Sequence, residues 1–129
     1  MKKLYIVIAL LVGLNVSMAQ TKSTGEVFLN SSMTFQVDMN SATSTVTLRL
    51  IGPSDRWFAI GFNATSMSNG TDCVYYSTSL VDSVLTGQSA PTTDASNEWT
   101  VVSNNLLSGT TRRLVLSRNF VGGAGDYTF

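Results

Sequence analysis

Two stretches with strictly alternating apolar and polar residues, joined by a short polar segment, constrain the fold more than any other feature of this chain. Apolar side chains occupy every second position across residues 33–39 and again across residues 46–50. This is the spacing at which the side chains of a β-strand emerge on one face. Residues 40–44, with the sequence Asn-Ser-Ala-Thr-Ser, have turn-forming side chains. We therefore predict an antiparallel hairpin with one buried face.

The rest of the chain is a series of short apolar runs separated by turn-forming residues. Residues 57–62 are apolar on both faces, which predicts a central strand with protein on each side. Turns are predicted at residues 104–105 and 108–109. Many short strands without helical spacing predict an all-β antiparallel β-sandwich of two sheets, immunoglobulin-like in architecture. The further predicted strands lie in residues 72–80, 84–85, 99–102 and 114–116.

The first residues have the pattern of an export signal. Lys2 and Lys3 give a positive start, and residues 4–16 form an apolar run. Small residues at positions 17 and 19 then predict cleavage between Ala19 and Gln20. The run is shorter than the ~20 residues that a membrane span needs. We predict a bacterial type of signal peptide over residues 1–19, a single mature domain over residues 20–129 with no transmembrane span, and a secreted or periplasmic location.

The charged and reactive residues are too few for most catalytic chemistry. Eight basic residues balance eight acidic ones, so no basic surface for nucleic acid is expected. The chain has no histidine, which removes the usual general base and the commonest metal ligand. Its single cysteine, Cys73, lies in an apolar run and is predicted to be buried, although pairing with another chain stays open. The chain is not expected to be an enzyme, but sequence cannot reveal carboxylates that meet only in the folded protein.

A series of motifs in a fixed order gives the chain a family resemblance from about Phe28 to its end. The motifs are the strand WFAIGFN at 57–63, MSNGTD at 67–72, PTTD at 91–94, Trp99, the turn GTTR at 109–112 and LVLSR at 114–118. This order resembles the DOMON family. Relatives include the N-terminal domain of dopamine β-monooxygenase, the haem domain of cellobiose dehydrogenase and the extracellular domains of ascorbate-linked plant membrane cytochromes.

The resemblance implies a β-sandwich with a pocket for a haem or a sugar. In the haem-binding relatives one Met and one His hold the iron, and Met67 stands at the position of the Met. The resemblance thus implies haem b, with Met67 as both cofactor-binding residue and metal ligand; the alternative is that Met67 only fills space beneath its loop. The second axial ligand is absent from the chain. Because residues 127–129 resemble the start of a strand, we also expect the domain to be C-terminally incomplete.

Three functions therefore remain open. The first is haem binding for electron transfer, with a partner redox protein or a membrane cytochrome. The second is a carbohydrate-binding module without a cofactor, and the third is a surface-adhesion domain. Trp57 and Trp99 are predicted to be core anchors rather than platforms for sugars, and Phe58 and Phe62 to share one face of a strand. The side chain of Asp72 is predicted to fix the loop that carries Met67.

Overall fold

The computed structural model describes residues 20–129, and the predicted signal peptide lies outside them. All regular structure in the described part is β, which confirms the predicted all-β class. Within residues 20–129 no helix has the length and apolar character to cross a bilayer. The strands are β1 (Thr21–Ser23), β2 (Val27–Asn30), β3 (Met33–Asn40), β4 (Thr45–Pro53), β5 (Phe58–Gly61), β6 (Asp72–Tyr76), β7 (Leu80–Val84), β8 (Thr92–Thr93), β9 (Thr100–Ser108) and β10 (Thr111–Asn119).

The larger sheet has six strands in the order β1-β3-β4-β10-β9, with β2 pairing with β3. All its pairings are antiparallel. The predicted hairpin is confirmed as β3 and β4, in which Val37 lies opposite Leu48. The turn between them ends at Ser44, whose φ of 52° is the left-handed conformation that reverses the chain.

The smaller sheet has four strands in the order β5-β6-β7-β8, again all antiparallel. Strand β5 forms one edge of this sheet, so the prediction of a central strand over residues 57–62 is wrong. The segment is apolar on both faces for a different reason. One face packs in the core, and the other lines the cavities described below.

The core lies between the two sheets, which confirms the β-sandwich; the immunoglobulin-like connectivity stays a prediction. Phe58 and Phe62 both belong to the core, which agrees with the prediction that they share one face. Trp99 is also a core anchor and stacks on Phe62 with ring centroids 5.6 Å apart. The other buried members are Val46, Leu48, Leu50, Val74, Tyr76, Leu114 and Leu116.

Two local predictions near the C-terminus need correction. No turn occurs at residues 104–105, because β9 continues through them and pairs with β10. The turn at residues 108–109 is confirmed, as it joins β9 to β10. Residues 127–129 form no strand: the N–H of Phe129 donates to the carbonyl of Phe120 at 3.1 Å, and its ring packs edge-on against Phe62. That the domain is incomplete stays a prediction.

Strand β9 is a long edge strand with apolar side chains in solvent. It pairs with β10 on one side, and no other described strand borders it. Val102 is 61% exposed and Leu106 is 60% exposed. An exposed edge of this kind offers unpaired backbone groups beside apolar surface, which favours association between copies, although the register with β10 is interrupted at Val102 and Leu107.

Candidate functional site

The candidate site lies on the face of the smaller sheet that is turned away from the core. Because Phe58 and Ile60 pack in the core, the alternation of β5 sends Ala59 to the opposite face. Ala59 pairs there with Tyr75 of β6, and Gly61 pairs with Cys73. The outer face of β5 and β6 therefore has a floor of small and apolar side chains.

The segment between β5 and β6 carries Met67 and is held at its ends by backbone hydrogen bonds. The N–H of Phe62 donates to the carbonyl of Asp72 at 2.9 Å. The N–H of Gly70 donates to the carbonyl of Leu85 at 2.8 Å, and the N–H of Leu85 donates to the carbonyl of Thr71 at 2.8 Å. Gly70 has a φ of +84°, which glycine adopts at no steric cost. Met67 is thus presented by a loop whose ends are fixed to the sheet.

Two adjoining cavities open beside this loop, with volumes of about 500 Å³ and 570 Å³. Both are lined by Trp57, Ala59, Met67 and Leu85, and we call these residues the Trp57–Met67 site. Each cavity has the size of a small-molecule pocket, ~300–1,000 Å³. The first is further lined by Asn30, Ser32, Met33, Pro53, Arg56, Phe58, Gly61 and Cys73, and the second by Tyr75, Ser77, Gln88, Ser89, Ala90 and Pro91.

The two side chains that define the site are both accessible. Met67 is 52% exposed and Trp57 is 66% exposed. The prediction that Trp57 is a core anchor is therefore wrong. Trp57 immediately precedes β5 and, with Ala59, lines the cavities on the outer face, whereas its neighbour Phe58 occupies the core. An exposed indole beside a thioether is a surface for a flat ligand.

Cys73 lies beneath the site and is buried, as predicted. Burial raises the pKa of its thiol to about 11, and the neighbouring carboxylates of Asp72 and Asp82 add to the rise. A protonated thiol is a poor ligand for a metal. The soft donors available at the first cavity are therefore the thioethers of Met67 and Met33. In the sequence, Met33 belongs to the alternating run of residues 33–39, and no motif marks it as part of a pocket.

The side chain of Asp72 does not fix the Met67 loop, so that prediction is wrong. Its Oδ2 instead accepts from the N–H of Tyr127 at 2.7 Å and from the guanidinium of Arg118 at 3.4 Å. Burial raises the pKa of Asp72, although these two donors oppose the rise. Only the backbone of Asp72 supports the loop, through the bond from Phe62 described above.

No known family description matches the sequence, and no curated protein matches it.

Proposed function

We propose that this chain is an exported ligand-binding domain of the DOMON type, and that the complete protein binds haem b at the Trp57–Met67 site for electron transfer. One observation supports this most: the thioether of Met67 is accessible at the place where two largely apolar cavities adjoin. Haem has two apolar faces, and this apolar lining offers a surface against which one of them would pack. The electron would be exchanged with a partner redox protein or a membrane cytochrome.

The donor set fits one side of a haem. A thioether is a soft, neutral ligand that raises the potential of haem iron. Arg56 lines the first cavity and is exposed, and it donates to Asp55 at 3.2 and 3.1 Å. A propionate group would have to compete with Asp55 for this guanidinium. The 129 residues contain no imidazole, so they do not supply the Met/His pair of the haem-binding relatives. Bound haem would supply one-electron exchange, while Met67 and the apolar lining would hold and shield it.

A haemin titration followed by visible absorption tests this proposal on protein expressed from the complete reading frame. We expect saturable uptake with sharp low-spin bands on reduction in the wild type. Met67→Leu keeps the apolar volume but removes the sulfur, so the bands should shift or disappear. Met33→Leu is the matched variant in the same cavity and should retain them. Absence of specific uptake by the wild type, or unchanged bands in Met67→Leu, would contradict the proposal.

The exposed indole of Trp57 favours carbohydrate binding as a second candidate. Aromatic faces present apolar area at low entropic cost, and sugars have apolar faces with polar edges. Neutral polar side chains for those edges line the two cavities, namely Asn30, Ser32, Ser77, Gln88 and Ser89. Binding to immobilised polysaccharides should then be lost in Trp57→Ala and kept in Met67→Leu. Equal binding by both variants would count against a sugar at this site.

Export is the remaining part of the proposal, and the basic start and apolar run of residues 2–16 support it. Mass spectrometry of the protein from the secreted or periplasmic fraction should give a mature N-terminus at Gln20. Recovery of only the uncleaved chain from the cytoplasm would contradict this.

A further inference from the structure

A cluster of carboxylates lies around one buried guanidinium and shares no residue with the lining of the two cavities. Arg118, near the end of β10, is 4% exposed. It donates to Asp126 Oδ2 at 2.9 Å, to Asp72 Oδ2 at 3.4 Å and to the carbonyl of Tyr127 at 2.5 Å. Its guanidinium also lies over the ring of Trp99, 4.8 Å from the centroid. These contacts fix Arg118 as the central cation of the cluster.

Three carboxylates of this cluster converge on one point. Asp82, Glu98 and Asp126 each place an oxygen within 4.8 Å of those of the other two. Asp82 belongs to the inner face of β7 and is 2% exposed, and the side chain of Asp126 is 1% exposed. Glu98 is half-buried and directly precedes the core residue Trp99. Three segments far apart in the chain thus bring acidic side chains together.

Each of these carboxylates uses one oxygen and leaves the other without a partner. Asp82 Oδ2 accepts from the N–H of Glu98 at 3.4 Å, and Asp126 Oδ2 also accepts from the N–H of Gly123 at 2.8 Å. Glu98 Oε1 accepts from the hydroxyl of Ser96. The remaining atoms, Asp82 Oδ1, Glu98 Oε2 and Asp126 Oδ1, are buried without a hydrogen-bond partner. Buried oxygens in this condition lack any compensation for lost hydration.

The charge of the cluster is also uncompensated. Arg118 pairs with Asp72 and Asp126, whereas the carboxylates of Asp82 and Glu98 lie beside that of Asp126 without an ion pair to any described residue. A buried group of this kind needs either a proton or a bound cation to be stable.

We propose that Asp82, Glu98 and Asp126 bind a calcium ion. Calcium takes oxygen ligands at about 2.3–2.6 Å, so two ligand oxygens on opposite sides of the ion are ~4.6–5.2 Å apart. The three oxygens lie within 4.8 Å of one another, close enough for one calcium ion to contact all three. Magnesium, with bonds of about 2.0–2.1 Å in a stricter octahedron, needs a tighter arrangement. Backbone carbonyls or water would complete the coordination. The ion would tie β7, the segment before β9 and the C-terminal segment together.

The test compares thermal unfolding of the purified chain in EDTA and in 10 mM calcium, with calorimetric titration of calcium. We expect calcium to raise Tm by about 5–10 °C and to bind with a Kd on the order of 0.1–1 mM, as in extracellular modules. Asp82→Asn should fold in EDTA, because it removes a buried charge, but should lose the calcium-dependent shift. Asp55→Asn removes an exposed carboxylate beside Arg56 and serves as the matched control; it should keep the shift.

Two results would overturn the proposal. One is an unchanged Tm and no heat of binding when calcium is added to the wild type. The other is a calcium-dependent shift of equal size in the wild type and in Asp82→Asn. An equal shift with magnesium at the same concentration would overturn the assignment to calcium. Haem or sugar binding at the Trp57–Met67 site does not enter any of these readouts, so the two proposals fail separately.

Discussion

Replacing each of the two tryptophans in turn by alanine is expected to affect two different properties, the stability of the fold for Trp99 and ligand binding for Trp57. Trp99 is 4% exposed and packs against Phe62 and Phe129, whereas Trp57 is 66% exposed and lines the cavities. Trp99→Ala should therefore destabilise the fold. Trp57→Ala should leave the fold intact and weaken only the binding of a ligand at the Trp57–Met67 site.

The expected size follows from burial and from the aromatic contacts. Truncation of a buried tryptophan to alanine costs about 3–5 kcal/mol, because atoms leave the core and a cavity remains. Part of this is the loss of two aromatic pairs, each worth about 0.5–1.5 kcal/mol. The domain as a whole is expected to have a stability of about 5–15 kcal/mol. Trp57→Ala should change stability by no more than about 0.5 kcal/mol, as is usual for an exposed position.

Urea unfolding followed by circular dichroism measures both changes, with Trp99→Phe as the milder core variant if Trp99→Ala does not fold. The single-tryptophan proteins Trp99→Phe and Trp57→Phe add a second readout. Emission from Trp57 should be red-shifted and readily quenched by acrylamide, and emission from Trp99 should be blue-shifted and protected. The reasoning would be refuted by equal quenching of the two residues, or by a loss of stability in Trp57→Ala as large as that in Trp99→Ala.

Three further predictions concern the rest of the fold. The pKa of Cys73, raised to about 11, means that the folded chain keeps a proton that the unfolded chain releases. The free energy of unfolding should thus fall by about 3 kcal/mol as pH rises from about 8.5 to 11. The Cys73 thiol of the folded protein should also react slowly with a thiol reagent at pH 8, and fast labelling of the folded protein would contradict this. Gly52→Ala would place a Cβ 2.7 Å from the ring of Phe58 and should cost about 1–3 kcal/mol in denaturant unfolding, while Gly109→Ala, which meets nothing within 4 Å, should not. Val102→Lys should suppress association through β9, measured by light scattering, without lowering Tm; unchanged association would show that this edge is not responsible.

The hairpin of β3 and β4 was predictable because its alternation is uninterrupted and its turn residues have a clear chemistry. The period of two also predicted that Phe58 and Phe62 share one face, and the structure places both in the core. The location of β5 was predictable, but its place in the sheet was not. An apolar run on both faces is compatible with a second sheet neighbour or with a cavity, and sequence alone does not distinguish the two.

The site was only partly predictable. Met67 was predicted only through the resemblance to the DOMON family, and the structure places its side chain in an accessible position beside two cavities. Trp57 was misassigned because a large aromatic residue beside a strand is usually buried. The acidic cluster gave no signal, since Asp82, Glu98 and Asp126 are separated along the chain and meet only when both sheets and the C-terminal segment are assembled.

The most direct test of the proposed function is a haemin titration of Trp99→Phe, expressed from the complete reading frame and followed by the emission of Trp57. Haem bound at the Trp57–Met67 site would lie against the indole and quench its fluorescence. We predict saturable, stoichiometric quenching, with the affinity reduced roughly tenfold or more when Met67→Leu is added, since a ligand to the iron is lost. Absence of quenching, or an affinity that Met67→Leu leaves unchanged, would contradict haem ligation by Met67.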